Sequence, residues 1–211
     1  MLKKINNNDA WEKIWNRNFF AKEFPDKEVV DFINYHLPKK NKRKKRVLDI
    51  GFGNGVNLKY FHDKGFRCYG IEIIKKNISL IKKDFNNRIK VKLGDFKSLD
   101  FAKNYFDFVT CNGVLYYDSK INVKKGVKEI YRVMKSKGIC RIYLLSSNDY
   151  NFKIKNYFEK SYKIPLKRTF FNYKEIKKIF FPFKKVLIGK HDFNFINYKK
   201  KHSYWVITAY K

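Results

Sequence analysis

The stretch Asp49-Ile50-Gly51-Phe52-Gly53-Asn54-Gly55 constrains this chain more than any other part of it. It follows a short apolar run at 47–50, the pattern of a buried strand. Glycines at alternate positions then let the backbone turn sharply and approach a ligand where a Cβ would intrude. A dinucleotide fingerprint, G-x-G-x-x-G, would put its third glycine where Val56 stands, and the spacing here is G-x-G-x-G instead. A tight strand-to-helix turn without a ligand is the lesser alternative for the glycines taken alone.

Downstream of that turn the pattern alternates. A helical stretch runs to Gly65, and 68–72 reads as a second strand. A helix follows with Ile78, Ile81 and Phe85 on one face, and 88–93 alternates polar and apolar, as at a sheet edge. Residues 106–111 read as a fourth strand. The next helix carries Val123, Val127, Ile130 and Met134, with Gly138 as its stop, and 139–145 is a fifth, continuously apolar strand. This order predicts an α/β fold: a doubly wound, Rossmann-like parallel sheet with helices on both faces.

Two amphipathic helices precede it. Asp9 and Glu12 form a cap pair for the first, whose stripe is Trp11, Trp15 and Phe19. Pro25-Asp26 starts the second, with Val29, Val30, Ile33 and Leu37 as its stripe and Pro38 as its end. The basic run 39–46 marks a boundary, so the expected division is an N-terminal helical cap over 1–45 and a main domain over 46–211. Residues 147–171 read as an aromatic insert without clear period (Tyr150, Phe152, Tyr157, Phe158, Tyr162, Phe170, Phe171). Asn172 and Glu175 pair as a helix cap, with Tyr173, Ile176 and Ile179 as the buried stripe. The segments 184–189 and 203–210 lie too close for a helical crossover and are expected as an antiparallel pair at one sheet edge.

Composition narrows the classes. Of 211 residues, 44% are hydrophobic and 18% aromatic, which excludes a disordered chain, and no apolar run approaches the ~20 residues of a membrane span. The N-terminal residues lack the apolar core of a signal peptide, so the expected location is the cytoplasm. Three cysteines, Cys68, Cys111 and Cys140, sit in apolar segments and suit buried thiols. The net charge of +30 would draw nucleic acid, anionic membrane or anionic metabolites. Specific phosphate and base recognition favours arginine, however, and 41 of the 49 basic residues are lysine. The lysine excess, alongside abundant Asn, Ile, Phe and Tyr, also fits the codon bias of an A/T-rich genome. No Asp/His cluster suggests a metal.

Two acidic positions add to the glycine turn. Glu72 ends the second strand, 21 residues after Gly51, where a carboxylate accepts both hydroxyls of a ribose. Asp95 and Phe96 follow the third strand, one suited to an exocyclic amine and the other to stacking on a purine. At the carboxyl ends of successive strands these residues converge on one nucleoside site.

In those stretches, together with residues 106–117 and 129–138, the chain resembles the class I S-adenosylmethionine-dependent methyltransferases, in their small-molecule branch. The resemblance covers about residues 46–146, and the closing strand pair extends it nearly to Lys211. It implies a seven-stranded sheet whose last strand is antiparallel, and S-adenosyl-L-methionine as cofactor. By the same resemblance Asp49, Gly51, Phe52, Gly53 and Gly55 hold the methionine part, and Glu72 with Ile73 the ribose. Asp95 and Phe96 take the adenine, and Asn112 and Gly113 the floor near the methyl group. Trp15 is expected over the cofactor, with core packing as the alternative for the tryptophan stripe.

Departures from the family pattern bear on the acceptor. Amine-methylating relatives carry an Asn/Asp-Pro-Pro-Tyr/Phe motif after the fourth strand; here it is Cys111-Asn112-Gly113-Val114. No cysteine has a proline beside it, as the RNA cytosine-C5 enzymes require. Histidine, frequent in small-molecule relatives where Tyr116 or Tyr117 stands, is absent there. Tyr116, Tyr117 and Asp118 are the catalytic candidates by position. Tyrosine, with an ordinary pKa near ~10, is suited to orient an acceptor rather than to take its proton, and packing is its other reading. His36, His62, His191 and His202 are each read as surface or core residues. The expectation is methyl transfer to oxygen of a small metabolite. An anionic acceptor, phosphorylated or sugar-linked, would meet Lys153, Lys155, Lys160, Lys163, Lys167 and Arg168. The alternatives are an RNA methyltransferase using the basic surface, an enzyme working on a lipid or quinone at a membrane surface, and a cofactor-binding protein without transfer activity.

Overall fold

In a computed structural model, residues 7–16, 23–37, 39–153, 158–159, 164–195 and 200–211 are described. Phe19, Pro38, Tyr157, Tyr162, Lys155, Lys160 and Lys163 lie outside them, as do the first six residues.

Five parallel strands form the centre. They are β1 (Arg46–Ile50), β2 (Arg67–Glu72), β3 (Lys90–Leu93), β4 (Phe106–Cys111) and β5 (Met134–Ser146). Short pieces follow: β6 (Phe158–Glu159), paired with β7 (Ile164–Pro165), and β8 (Phe170–Phe171), which pairs with the end of β5. The long β9 (Lys185–Phe195) and β10 (Lys200–Tyr210) complete the main sheet in the order β3-β2-β1-β4-β5-β10-β9. β10 runs antiparallel to both β5 and β9, so β9 itself points the same way as β1 to β5. The fold is thus the expected doubly wound α/β sheet with an antiparallel last strand. The short β8 is an addition to the seven.

The helices are α1 (Asn7–Asn16), α2 (Lys27–His36), α3 (Val56–Asp63), α4 (Lys75–Asp84), α5 (Lys120–Val133) and α6 (Tyr173–Ile179). β1 and β4 are buried along nearly their whole length, which is why they read as continuous apolar runs, while β3 at the edge alternates. One core holds Leu48, Val109, Leu115, Val127, Ile130, Ile142 and Ile207. A second holds Val29, Phe32 and Ile33 of α2 with Leu58, Phe61, Ile78 and Ile81. Cys68, Cys111 and Cys140 are free and buried.

Local boundaries differ from the sequence expectations in four places. Helix α1 begins at Asn7, so Asp9 lies in its first turn and is not its cap. Helix α5 ends at Val133, and Met134 already pairs with Phe106 in β5. Gly138 therefore does not stop a helix but sits in the strand, where a Cβ would lie 2.8 Å from the Lys135 carbonyl oxygen. In α6 the capping box of Asn172 and Glu175 is present, but Tyr173 is exposed and only Ile176 is fully buried. The last two strands extend well beyond 184–189 and 203–210, so His191 and His202 lie within paired strand rather than beside it.

Candidate functional site

A cleft of about 700 Å³ opens at the carboxyl ends of the parallel strands. It reaches from the glycine turn to the ends of β5 and β9, and α1 and α2 form its other wall. The glycine turn is shaped as its sequence requires. Gly51 and Gly53 have φ of +69° and +58°, a left-handed region costly for other residues. A Cβ on Gly53 would sit 2.8 Å from the ring of Trp15, and one on Gly51 would lie 2.3 Å from a Val114 methyl. The loop is thus clasped between α1 and the segment after β4.

Of the residues expected to hold the cofactor, Trp15, Gly51, Phe52, Gly53, Glu72, Ile73, Asp95, Phe96, Asn112 and Gly113 line this cleft. Asp49 and Gly55 do not. Asp49 is buried in β1, and Gly55 precedes α3, where a Cβ would lie 2.0 Å from Ile81 Cδ1. Glu72 closes the loop onto the sheet: its carboxylate accepts from the amides of Gly53 (2.9 Å), Ile73 (2.7 Å) and Ile74 (3.2 Å). Burial pushes its carboxyl above the usual range, and those three amides only partly offset the rise. Asp95 is held by the Lys97 amide and pairs with the Lys97 ammonium at 2.7 Å.

Tyr116, Tyr117 and Asp118 also line the cleft. Burial drives the Tyr116 phenol far above its ordinary range, and the neighbouring Tyr117 and Tyr204 add to the rise. It remains a neutral hydrogen-bonding group. For Asp118, burial raises the carboxyl, but Asn122, the Ser119 amide and Lys97 together outweigh it and bring the pKa below the ordinary value. The bonds are short, at 2.7, 2.6 and 3.0 Å. A carboxylate so engaged anchors Lys97 and the start of α5 more readily than it accepts a proton.

Several lining residues were not read as site residues from the sequence. Asp26 starts α2, but its carboxylate is not spent on the helix cap. It accepts instead from Asn112 (2.7 Å) and Asn57 (3.0 Å), tying α2 to the segment after β4. Glu28, two residues on in the first turn, meets Nδ1 of His191 at 3.1 Å. Tyr143, His191, Phe193 and Tyr204 line the same end. A train of rings borders it: Trp11–Tyr117 at 4.7 Å, Tyr117–Tyr116 at 4.6 Å, Tyr116–Tyr204 at 6.1 Å, Tyr204–Phe193 at 5.9 Å and Phe193–His191 at 5.5 Å. The alternation of Gly189, His191 and Phe193 with polar residues was the available signal, and it continues the strand past 189. Asp26 and Glu28 carried none, because their role arises only when α2 packs on the sheet.

Asn7 straps α1 across the opening: its side-chain amide donates to the carbonyls of Tyr117 and Lys167 and accepts from the Lys167 amide. Lys167 lines the cleft, and Arg168 lies over the Tyr117 ring at 5.7 Å. The side chain of Lys153 is not among those described. Among the described residues, no group of three or more His, Cys, Asp or Glu is placed to hold a metal ion, and no helix is long and apolar enough to cross a membrane.

The residues present fit a nucleoside with an amino-acid tail. Two glycines leave a cradle that a Cβ would fill, a buried carboxylate stands beside it, and an acid–phenylalanine pair follows at the next strand end. Comparison with known proteins agrees. A family model described as a methyltransferase domain matches residues 48–142. An uncharacterized methyltransferase, YcgJ, from Bacillus subtilis is 31% identical over 97 residues, 44% of this chain and 38% of that protein. The uncharacterized protein MJ1123 of Methanocaldococcus jannaschii is 30% identical over 155 residues, 74% of this chain and 68% of its own. The chain thus spans well under half of the first of these relatives and about two thirds of the second. Among solved structures, the 1,6-didemethyltoxoflavin-N1-methyltransferase of Burkholderia thailandensis, with S-adenosylhomocysteine bound, superposes with a TM-score of 0.68 at 18% identity. That match covers 97% of this chain and 86% of the other.

Proposed function

The chain belongs to the class I S-adenosylmethionine-dependent methyltransferases, and from that footing we propose that it methylates an oxygen of a small metabolite bearing an anionic group. The observation that carries this reading is the single cleft that joins the glycine turn and Glu72 at one end to the Asn112–Asp26 pair and the ring train at the other. The bound cofactor supplies a methyl group that is already electrophilic, so the protein's task is to align an acceptor and exclude water.

In this reading Glu72 and Ile73 meet the ribose, Asp95 and Phe96 the adenine, and the glycine turn under Trp15 the methionine part. Asn112 and Gly113 border the transferred group. Tyr116 and Tyr117 orient the acceptor, and Lys167, with Arg168 behind it, receives the anionic group. Residues 1–45 act as the cap that closes the cleft, and 147–171 shape its acceptor end. A small acceptor suits the charge of the lining better than a polyanion does: among the described residues, Asp26, Glu28, Glu72, Asp95 and Asp118 face the cleft against Lys97 and Lys167.

The test is transfer of radiolabelled methyl from S-adenosylmethionine into a cleared extract of source cells, divided by size and by nuclease treatment. Label in a small anionic fraction is expected. Label only in nuclease-sensitive polymer would replace this reading with an RNA methyltransferase, and binding of S-adenosylhomocysteine without any transfer would leave a cofactor-binding protein.

A further inference from the structure

An oxygen acceptor must give up its proton, and the residues placed by sequence at the reaction end are poorly suited to take it. Tyr116 stays protonated, and Asp118 is engaged by Lys97, Ser119 and Asn122. We propose that His191, held by Glu28, is the proton acceptor of the transfer. This inference rests on the function proposed above.

The topology brings the pair to the cleft. Because β9 runs parallel to β5, its extension past Gly189 carries His191 toward the same sheet edge as the carboxyl ends of β1, β4 and β5. His191 lies opposite Tyr204, which lies opposite Leu145, while Tyr143 stands opposite Val206. These positions share one face of the sheet. Helix α2 covers that face: His36 at its end lies 3.2 Å from the Tyr210 hydroxyl, and Glu28 in its first turn meets His191. The same turn starts at Asp26, whose carboxylate is 2.7 Å from the Asn112 amide. His191 is therefore linked through the start of α2 to the segment expected to border the transferred methyl group.

The chemistry follows from which nitrogen Glu28 occupies. Glu28 Oε1 lies 3.1 Å from Nδ1, and a carboxylate on that side of the ring favours the Nδ1–H tautomer and leaves the Nε2 lone pair as the basic site. Both residues line the cleft. As the new oxygen–carbon bond forms and the electron pair of the broken carbon–sulfur bond stays with sulfur, the hydroxyl proton passes to Nε2. The imidazolium that results is stabilised by Glu28, and the proton leaves to solvent through the half-exposed ring. His191 is thus a catalytic residue and Glu28 a positioning one.

The test combines three readouts on the full chain. First, calorimetry with S-adenosylhomocysteine is expected to give the same affinity for wild type, His191→Gln and Glu28→Ala, which shows that the cofactor end is intact. Second, ¹⁵N imidazole spectra, with the His191 resonance identified by its loss in His191→Gln, are expected to show the neutral ring as Nδ1–H in wild type and shifted toward Nε2–H in Glu28→Ala. Third, using the small-molecule fraction that wild type labels, His191→Gln is expected to lower kcat at least a hundredfold with little change in KM, and free imidazole to restore part of the activity of His191→Gly. A wild-type ring in the Nε2–H form, or a His191→Gln variant with wild-type kcat, overturns the inference while leaving the proposed function standing. An extract in which wild type labels no small molecule overturns the proposed function, and the role of His191 with it.

Discussion

Glu72 holds the glycine loop and, in the proposed site, also meets the ribose. Its carboxylate gathers the amides of Gly53, Ile73 and Ile74, and burial still leaves its pKa raised. For an acid with a raised folded-state pKa, the cost to stability appears as pH climbs above the ordinary value of ~4.3 and is relieved as pH falls. Hydroxyls donated by a bound ribose favour the ionised form, so the linkage for binding has the opposite sign. Affinity for S-adenosylhomocysteine is expected to be constant at neutral pH and to fall by up to about tenfold per unit once pH drops below the raised pKa. Calorimetry across pH 4 to 8 checks this. Glu72→Ala should weaken binding at least tenfold, ~1.4 kcal/mol, and flatten the acid limb; unchanged affinity would remove the ribose contact from Glu72.

At the scale of elements, how much was legible depended on whether a segment declares its own environment. The buried strands β1, β2 and β4 and the second half of β5 did, because burial on both faces demands continuous apolar residues, whereas the half-exposed start of β5 read as helix. So did the glycine turn, whose positive φ angles leave few alternatives. The far ends of β9 and β10 did not, because half-exposed strand with Lys190, Asp192 and Lys201 on its outer positions resembles loop. His191 was consequently read as flanking a strand pair that in fact contains it. Nor could the sequence show that Asp26, a good helix cap by type, would spend its carboxylate on Asn57 and Asn112 from distant elements. Long-range pairing of this kind leaves no local pattern. The strap on α1 belongs to the same class: Asn7 meets Tyr117 and Lys167, more than a hundred positions away. Since α1 buries only Ala10 and Ile14 fully and otherwise leans on Tyr117 and Gly53 through Trp11 and Trp15, the strap contributes to its seating. Asn7→Ala is expected to change the stability of the whole chain by less than ~1 kcal/mol. It should weaken S-adenosylhomocysteine binding about three- to tenfold, because Trp15 no longer rests on Gly53. Thermal melting and calorimetry on the same sample separate the two effects.

For the whole molecule, the question is what a charge of +30 does when the described residues of the cleft carry more carboxylates than ammonium groups. Lysines crowd the outward positions of α4, α5 and α6 and the stretch before β1, whereas among the described residues only Lys97 and Lys167 line the cleft. Such a surface binds polyanions by counterion release, which is steeply salt-dependent, whereas a nucleoside held by Glu72 and backbone groups releases few ions. An RNA homopolymer is therefore expected to lose affinity by about a thousandfold between 50 and 200 mM salt, while S-adenosylhomocysteine affinity changes by less than about twofold. The two ligands should also bind independently, since they occupy different surfaces. RNA that displaces the cofactor product, or that raises its affinity with the salt slope of a polyanion, would mean that the basic surface feeds the cleft. The acceptor would then be sought in nucleic acid.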